Sequence, residues 1–316
     1  MTEILFIKTS SLGDVIHHMP AVTEVRRQRP DARLTWLVEE TFAPLVRLHP
    51  AINEVVPVAW RRWRKSLYSP ATLSEIATNL GGIRSRRYDD IIDSQGLVRS
   101  GLIARLVQGR RHGYDRNSIR EPVASMFYDV PYRVSRDLHA ITRNRMLCGL
   151  ALGYKPQGAP DYGLDRTRFA SSSGERYAVL LHATARPNKQ WPEENWIALG
   201  QSLATRGIDL VLPWGSEVER ARSERIAAKL SRARAPDRAP LDCVAQLIGG
   251  AQFVVGVDTG LMHLAAALGV PLVAIFTGSK TSLTGPVSSG PLQVLGAEGA
   301  SPSVEAVRVA VETVVR

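Results

Sequence analysis

Residues 4–28 read ILFIKTSSLGDVIHHMPAVTEVRRQ. The first four are a short apolar run, and from Asp14 onward apolar residues recur at helical spacing, so the chain passes from strand to amphipathic helix through a short turn. The same grammar returns in RLTWLVE followed by TFAPLVRLH, and in DDIIDSQ followed by LVRSGLIARLVQG. Strand and helix in strict alternation build a parallel sheet covered by helices, an α/β fold. The pattern lapses at residues 156–176, PQGAPDYGLDRTRFASSSGER, and resumes with YAVLLHA, IDLVLPWG, FVVGVDTG and VPLVAIF, each followed by a helical stretch except the last. The reading is two doubly wound domains, residues 1–156 and 177–316, joined by a linker at 157–176. The C-terminal ends of both sets of strands would face a central cleft, where the chemistry belongs.

A chain of 316 residues with 44% hydrophobic and 22% charged residues suits two folded domains and excludes a disordered or fibrous class. Its two cysteines, Cys148 and Cys243, form no C-x-x-C and have no Cys/His cluster nearby, which excludes a zinc site and a disulfide framework. The N-terminus carries Glu3 and too short an apolar run for a signal peptide, and the apolar tract at 253–276 is interrupted by Asp258 and His263. A cytoplasmic protein without a membrane span is the expectation. The net charge of +10 is lopsided: residues 1–155 hold 24 Lys/Arg and 15 Asp/Glu, the rest 16 and 15. A surplus in the first half reads as attraction to nucleic acid, an anionic membrane surface or a polyanionic substrate, or simply as a solubilising surface.

Four constellations carry chemistry. In Lys8-Thr9-Ser10-Ser11-Leu12-Gly13-Asp14, small residues allow a tight turn and Asp14 meets a helix start, where the dipole favours a carboxylate. That is an N-cap or, at the tip of the first strand, a ligand site. In the loop from His182 to Glu194, Thr184 and Lys189 are offered to an anion in front of a helix begun at Pro192; a solvated loop plugged by Trp191 is the competing reading. Val257-Asp258-Thr259-Gly260-Leu261-Met262-His263 is again strand, turn and helix, with Asp258 and Thr259 able to cap and Gly260 letting a diphosphate approach the backbone. His263 faces that ligand or is a buried structural residue. Trp60-Arg61-Arg62-Trp63-Arg64-Lys65 interleaves four cations with two indoles, fitting an anionic amphiphile, a nucleic acid or an exposed charged turn.

With KTSSLGDVIH, VAWRRWRKSL, IIDSQGLVRSGLIARL, HATARPNKQWPEENW and VVGVDTGLMHLAAAL in this order, the chain resembles the ADP-heptose:lipopolysaccharide heptosyltransferase I family over nearly its whole length. The resemblance implies a GT-B glycosyltransferase that moves L-glycero-D-manno-heptose, with inversion, from ADP-heptose to the first Kdo of Kdo2-lipid A. It implies no cofactor and no strict metal requirement. Asp14 matches the catalytic base. Thr184, Ala185, Lys189, Glu219, Asp258, Thr259, Gly260, Leu261 and His263 match donor positions, with Glu219 at the ribose. Ser10, Gly13, Arg61, Arg64, Lys65, Gln95, Arg120 and His139 match acceptor positions. The family pattern often has threonine where this chain has Ala185, and acidic residues at Pro187-Asn188, which bears on donor affinity. The implied enzyme is a monomer, peripheral on the inner membrane, with 61–65 supplying charge and the tryptophans anchorage. Its last helix packs back toward the first domain. Heptosyltransferase II, with a heptose acceptor, is the alternative; a nucleic-acid-binding protein is remote, because it leaves the anion loops of the second half unexplained. An oxidoreductase is excluded by the lack of G-x-G-x-x-G after any strand.

Overall fold

The structure is a computed structural model that describes residues 1–169, 176–184, 186–278 and 281–316. It divides into two units, Met1–Gly163 and Leu164–Arg316, and the division falls inside the segment read as a linker. In the first unit β1 (Glu3–Ile7), β2 (Arg33–Glu39), β3 (Glu54–Val58), β4 (Arg87–Asp93), β5 (Gln108–Tyr114) and β6 (Val130–Tyr132) form one sheet, in the order β3-β2-β1-β4-β5-β6. Every neighbouring pair is parallel. Strands β1 and β2 read as nearly continuous apolar runs because helices cover both faces of a parallel sheet, and Ile4 to Ile7 are accordingly fully buried.

In the second unit β7 (Tyr177–Leu181), β8 (Asp209–Val211), β9 (Ala233–Arg234), β10 (Phe253–Val257), β11 (Leu272–Ile275) and β12 (Leu292–Leu295) form a sheet in the order β12-β11-β10-β7-β8-β9. Counted from its own first strand this is the same order as in the first unit, and it too is parallel throughout. In both, the strand order reverses between the first and fourth strands, β1 beside β4 and β7 beside β10. Loops leaving such a pair diverge and open a crevice at the strand ends.

Each unit has its own core. Leu5, Leu37, Trp63, Tyr88 and Ile91 belong to the cluster of the first, and Leu180, Trp191, Trp196, Phe253 and Ile275 to that of the second. The helix Met19–Gln28 packs on the helix Ala140–Leu152, where Arg145 grips the Glu24 carboxylate with two nitrogens at 3.1 Å. The last helix, Val304–Val315, buries Val307, Ala310, Val311 and Val314, one face at helical spacing. That face packs on the helix Glu193–Ala204 and on β10, β11 and β12, and so completes the core of the second unit. Among the described residues, no helix is long and apolar enough to cross a membrane.

Candidate active site

The turn after β1 is held from the side. The buried Gln95, just past the end of β4, accepts hydrogen bonds on Oε1 from the Thr9 and Ser10 amides, both at 2.9 Å, and from the Thr9 hydroxyl at 3.3 Å. Lys8, also buried, donates to the Ser94 carbonyl at 2.8 Å. Burial lowers the Lys8 pKa, and Asp14 and Asp93 oppose that shift. Gln95 is itself fixed by Asp93, a fully buried carboxylate that accepts from the Gln95 and Gly96 amides and the Tyr128 hydroxyl. Burial raises the Asp93 pKa. Gly96 has φ +69°, and a Cβ there would meet Ile119 at 2.9 Å, so glycine is needed where the β4 loop passes the segment carrying Arg120.

On this platform stands Asp14, half-buried in the third position of the short helix Leu12–Ile16. Its Oδ2 accepts from the Ser11 amide and the Ser11 hydroxyl, each at 2.9 Å, a reciprocal cap that fixes the carboxylate at the loop. The N-cap is thus Ser11 and not Asp14, which serves the cap from the third helical position and keeps its carboxylate at the loop. Gly13 lies in the same helix.

A cleft of about 490 Å³ opens beside the turn, lined by Ser10, Glu39, Trp60, Arg61, Arg64, Lys65 and Arg99. It lies at the ends of β1, β2, β3 and β4, the four strands around the order reversal. Four of the acceptor candidates, Ser10, Arg61, Arg64 and Lys65, thus share one wall system. Arg61 lies over the Phe42 ring at 5.0 Å, while Glu39 accepts from the Arg61 amide at 2.9 Å. Burial raises the Glu39 pKa. Gln95 acts behind the cleft as the clamp on its turn. His139 caps the helix Ala140–Leu152, accepting from the Ile141 amide at 3.2 Å, and Arg120 is exposed beyond the β4 loop.

Two readings of the basic segment change. Trp63 is 2% exposed and belongs to the core, so it is no free anchor, while the half-buried Trp60 packs against that core and lines the cleft. Arg62 is bound by Glu40 and Glu75 and adds no spare charge. Arg99 and Glu39 were missed by the sequence reading. The available signal was a cation in the first turn of the helix that follows β4, the strand across the reversal from β1.

The second unit repeats the arrangement with different chemistry. Thr184, after β7, donates through Oγ1 to the Asp258 carbonyl at 3.0 Å, and Lys189 donates to Asp258 Oδ2 at 2.5 Å. His263 places Nε2 3.7 Å from the other carboxylate oxygen. Asp258 is therefore the hub joining the β7 and β10 loops. It does not cap the helix Gly260–Ala267; Thr259 holds the cap position without a side-chain cap bond. The N–H groups of Gly260 and Leu261 at that helix start have no partners within the helix, the kind of position that accepts an anion. Glu219 caps its own helix, Glu217–Ala227, accepting from the Gly215 and Ser216 amides at 2.8 and 3.1 Å. Ala185 lies outside the described residues. A larger cleft of about 730 Å³ lies between residues 190–193 and the helix Glu217–Ala227, but it contains none of the donor candidates. Its Arg225 is bound to Glu193, with Arg222 at 3.8 Å from the same carboxylate, so it brings little spare charge to a diphosphate.

Known proteins sharpen this. The chain is 42% identical over 288 residues to the lipopolysaccharide heptosyltransferase 1 of Escherichia coli K12, covering 90% of each. It is 44% identical over 287 residues to that of Pseudomonas aeruginosa, covering 90% of this chain and 81% of the relative. Among solved structures it matches the E. coli heptosyltransferase WaaC with ADP at a TM-score of 0.92 and 37% identity, covering 98% of this chain and 99% of that one. Two Rossmann-order sheets, each with polar chemistry at its reversal point, make this a glycosyltransferase of the GT-B fold. The chain belongs to glycosyltransferase family 9 (heptosyltransferase), whose model matches residues 80–312.

Proposed function

We propose that this heptosyltransferase moves L-glycero-D-manno-heptose from ADP-heptose to the first Kdo of Kdo2-lipid A. The carrying observation is the Asp14 carboxylate, fixed by Ser11 beside a cleft lined with cations. The acceptor, with its sugar-acid carboxylates and lipid A phosphates, enters that cleft and meets Arg61, Arg64 and Lys65. Asp14 takes the proton from the attacking hydroxyl as its oxygen bonds to the anomeric carbon from the face opposite the leaving group, which inverts that centre. The bond from the anomeric carbon to the diphosphate oxygen breaks, and its electron pair leaves with ADP. Lys189 has three N–H donors, one of them engaged by Asp258, and the others, with the Gly260 and Leu261 amides, receive the charge that develops on the β-phosphate. Such a site gives no step that requires a metal ion.

Docking on the inner membrane belongs to the same reading. Its anchors are Leu67 and Tyr68, 42% and 99% exposed just after Lys65. Cations beside exposed apolar side chains suit an anionic lipid surface.

The test is mass spectrometry of purified protein with ADP-heptose and Kdo2-lipid A in the presence of a chelator, beside Asp14→Asn. The expected product is heavier by one heptose, and the variant forms it at least about 100-fold more slowly. Transfer only to an acceptor that already bears heptose assigns a type II activity instead. Restoration by added magnesium alone overturns the metal-free account.

A further inference from the structure

Arg99 is not arranged like the other cations of the cleft. Arg64 and Lys65 are exposed, and no ion-pair partner accompanies them among the described residues. Arg99 stands in the first turn of the helix Val98–Leu106, whose start is fixed by the Ser100 hydroxyl at the Leu97 amide, 3.1 Å, and by Glu121 at the Val98 amide, 2.7 Å. Its Nη2 donates to the Ser10 hydroxyl at 3.0 Å, and its Nε is buried, so its terminal nitrogens are the ones left to meet a ligand in the cleft. Glu39, the carboxylate in the same cleft, is engaged by the Arg61 amide. A guanidinium held at the cleft wall by the Ser10 hydroxyl presents its terminal N–H groups to an incoming group with two acceptor oxygens in a plane.

We propose that Arg99 and the Ser10 hydroxyl form a carboxylate subsite that holds the sugar-acid carboxylate of the acceptor next to the base; this rests on the reading of function above. Ser10 and Asp14 lie on one turn, and Gln95 pins the Ser10 amide. A carboxylate seated on Arg99 therefore sets the sugar ring by reference to the same backbone that carries Asp14. Arg61, Arg64 and Lys65 sit farther along the cleft wall, at the end of β3, and serve the remaining anionic groups. A lysine offers a point charge in place of the planar fork, so it substitutes poorly.

The experiment measures steady-state kinetics of the wild type, Arg99→Ala and Arg99→Lys on the free-acid acceptor, on its carboxylate methyl ester, and on a dephosphorylated acceptor. On the free acid, Arg99→Ala raises KM roughly 10- to 100-fold and Arg99→Lys recovers only part of that, the range expected for a hydrogen bond between charged groups. On the methyl ester the wild type falls to the level of the variant and the substitution costs less than about 3-fold. An equal loss on both acceptors shows that Arg99 only props the turn and overturns the subsite. A loss that vanishes on the dephosphorylated acceptor, and not on the ester, assigns Arg99 to phosphate and overturns it as well. Calorimetry with the free monosaccharide Kdo separates this proposal from the reading of function. Binding that needs Arg99 in a wild type inactive on Kdo2-lipid A leaves the subsite standing and removes the reading. Binding indifferent to Arg99 overturns the subsite. ADP affinity and the melting temperature, unchanged in Arg99→Ala, certify the fold.

Discussion

One amide oxygen orders the turn of the first unit. Gln95 Oε1 answers two backbone N–H groups and a hydroxyl, and a buried donor left without an acceptor costs about 1–3 kcal/mol. Gln95→Leu keeps the size and removes the acceptor. Its kcat for heptose transfer is expected to fall at least about 10-fold, through misplacement of Ser10 and Asp14, while ADP affinity by calorimetry stays at the wild-type value. Weaker ADP binding in the variant contradicts this. At this scale the sequence named the participants more readily than their roles. Asp258, Lys189 and Gln95 are all in the motifs as written, yet Lys189 and Asp258 are 69 residues apart, and Gln95 reaches Ser10 across 85. Only the adjacency of β1 with β4, and of β7 with β10, brings them together. Gln95 therefore reads as a binding residue in the sequence and as a clamp in the structure.

Among the elements, the segment at 60–65 shows why alternation of indole and cation misleads. Read as a linear string it is an amphiphilic strip, but as the helix Trp60–Trp63 it turns Trp63 into the sheet. Trp63→Ala is expected to cost about 3–5 kcal/mol in denaturant unfolding, the range for an aromatic side chain removed from a core. Tyr68→Ala, at a fully open site, changes stability by less than about 0.5 kcal/mol. On the docking proposed above, it is nevertheless expected to weaken sedimentation with vesicles containing anionic phospholipid. Vesicle binding that survives Tyr68→Ala but is lost with a folded Trp63 variant reverses the assignment. Strand and helix alternation itself was legible, because a buried parallel strand is an apolar run and a covering helix repeats at 3.6. The stripe of the last helix was legible too, as apolar positions at helical spacing that the structure buries.

Over the whole molecule, acid is the condition that tests the packing of both units together. His18, His49 and His182 are buried, and burial lowers all three below the ordinary histidine range, His49 and His182 to about 4. The unfolded chain, with histidines near 6.5, then binds protons that the folded chain refuses. Their contribution is fully present above about pH 6.5 and is lost as the pH falls toward 4, by roughly 3 kcal/mol each for His49 and His182 at the lower limit. The melting temperature should hold near pH 7 and fall steadily below 6.5; a value flat from pH 7 to 5 refutes this. His49 belongs to the first unit and His182 to the second, so neither sheet escapes the effect.

The identical strand order of the two sheets has a consequence for descent. Each sheet carries its own core, its own reversal and its own set of loop residues, so mutation can redraw one set without disturbing the packing that supports the other. On the function proposed above, a lineage that acquires a new acceptor needs to rewrite only the turns after β1 to β4, and it inherits the second unit intact. The chain is built as two separately packed units of one strand order, and grafting experiments between distant members should respect the seam near residue 163.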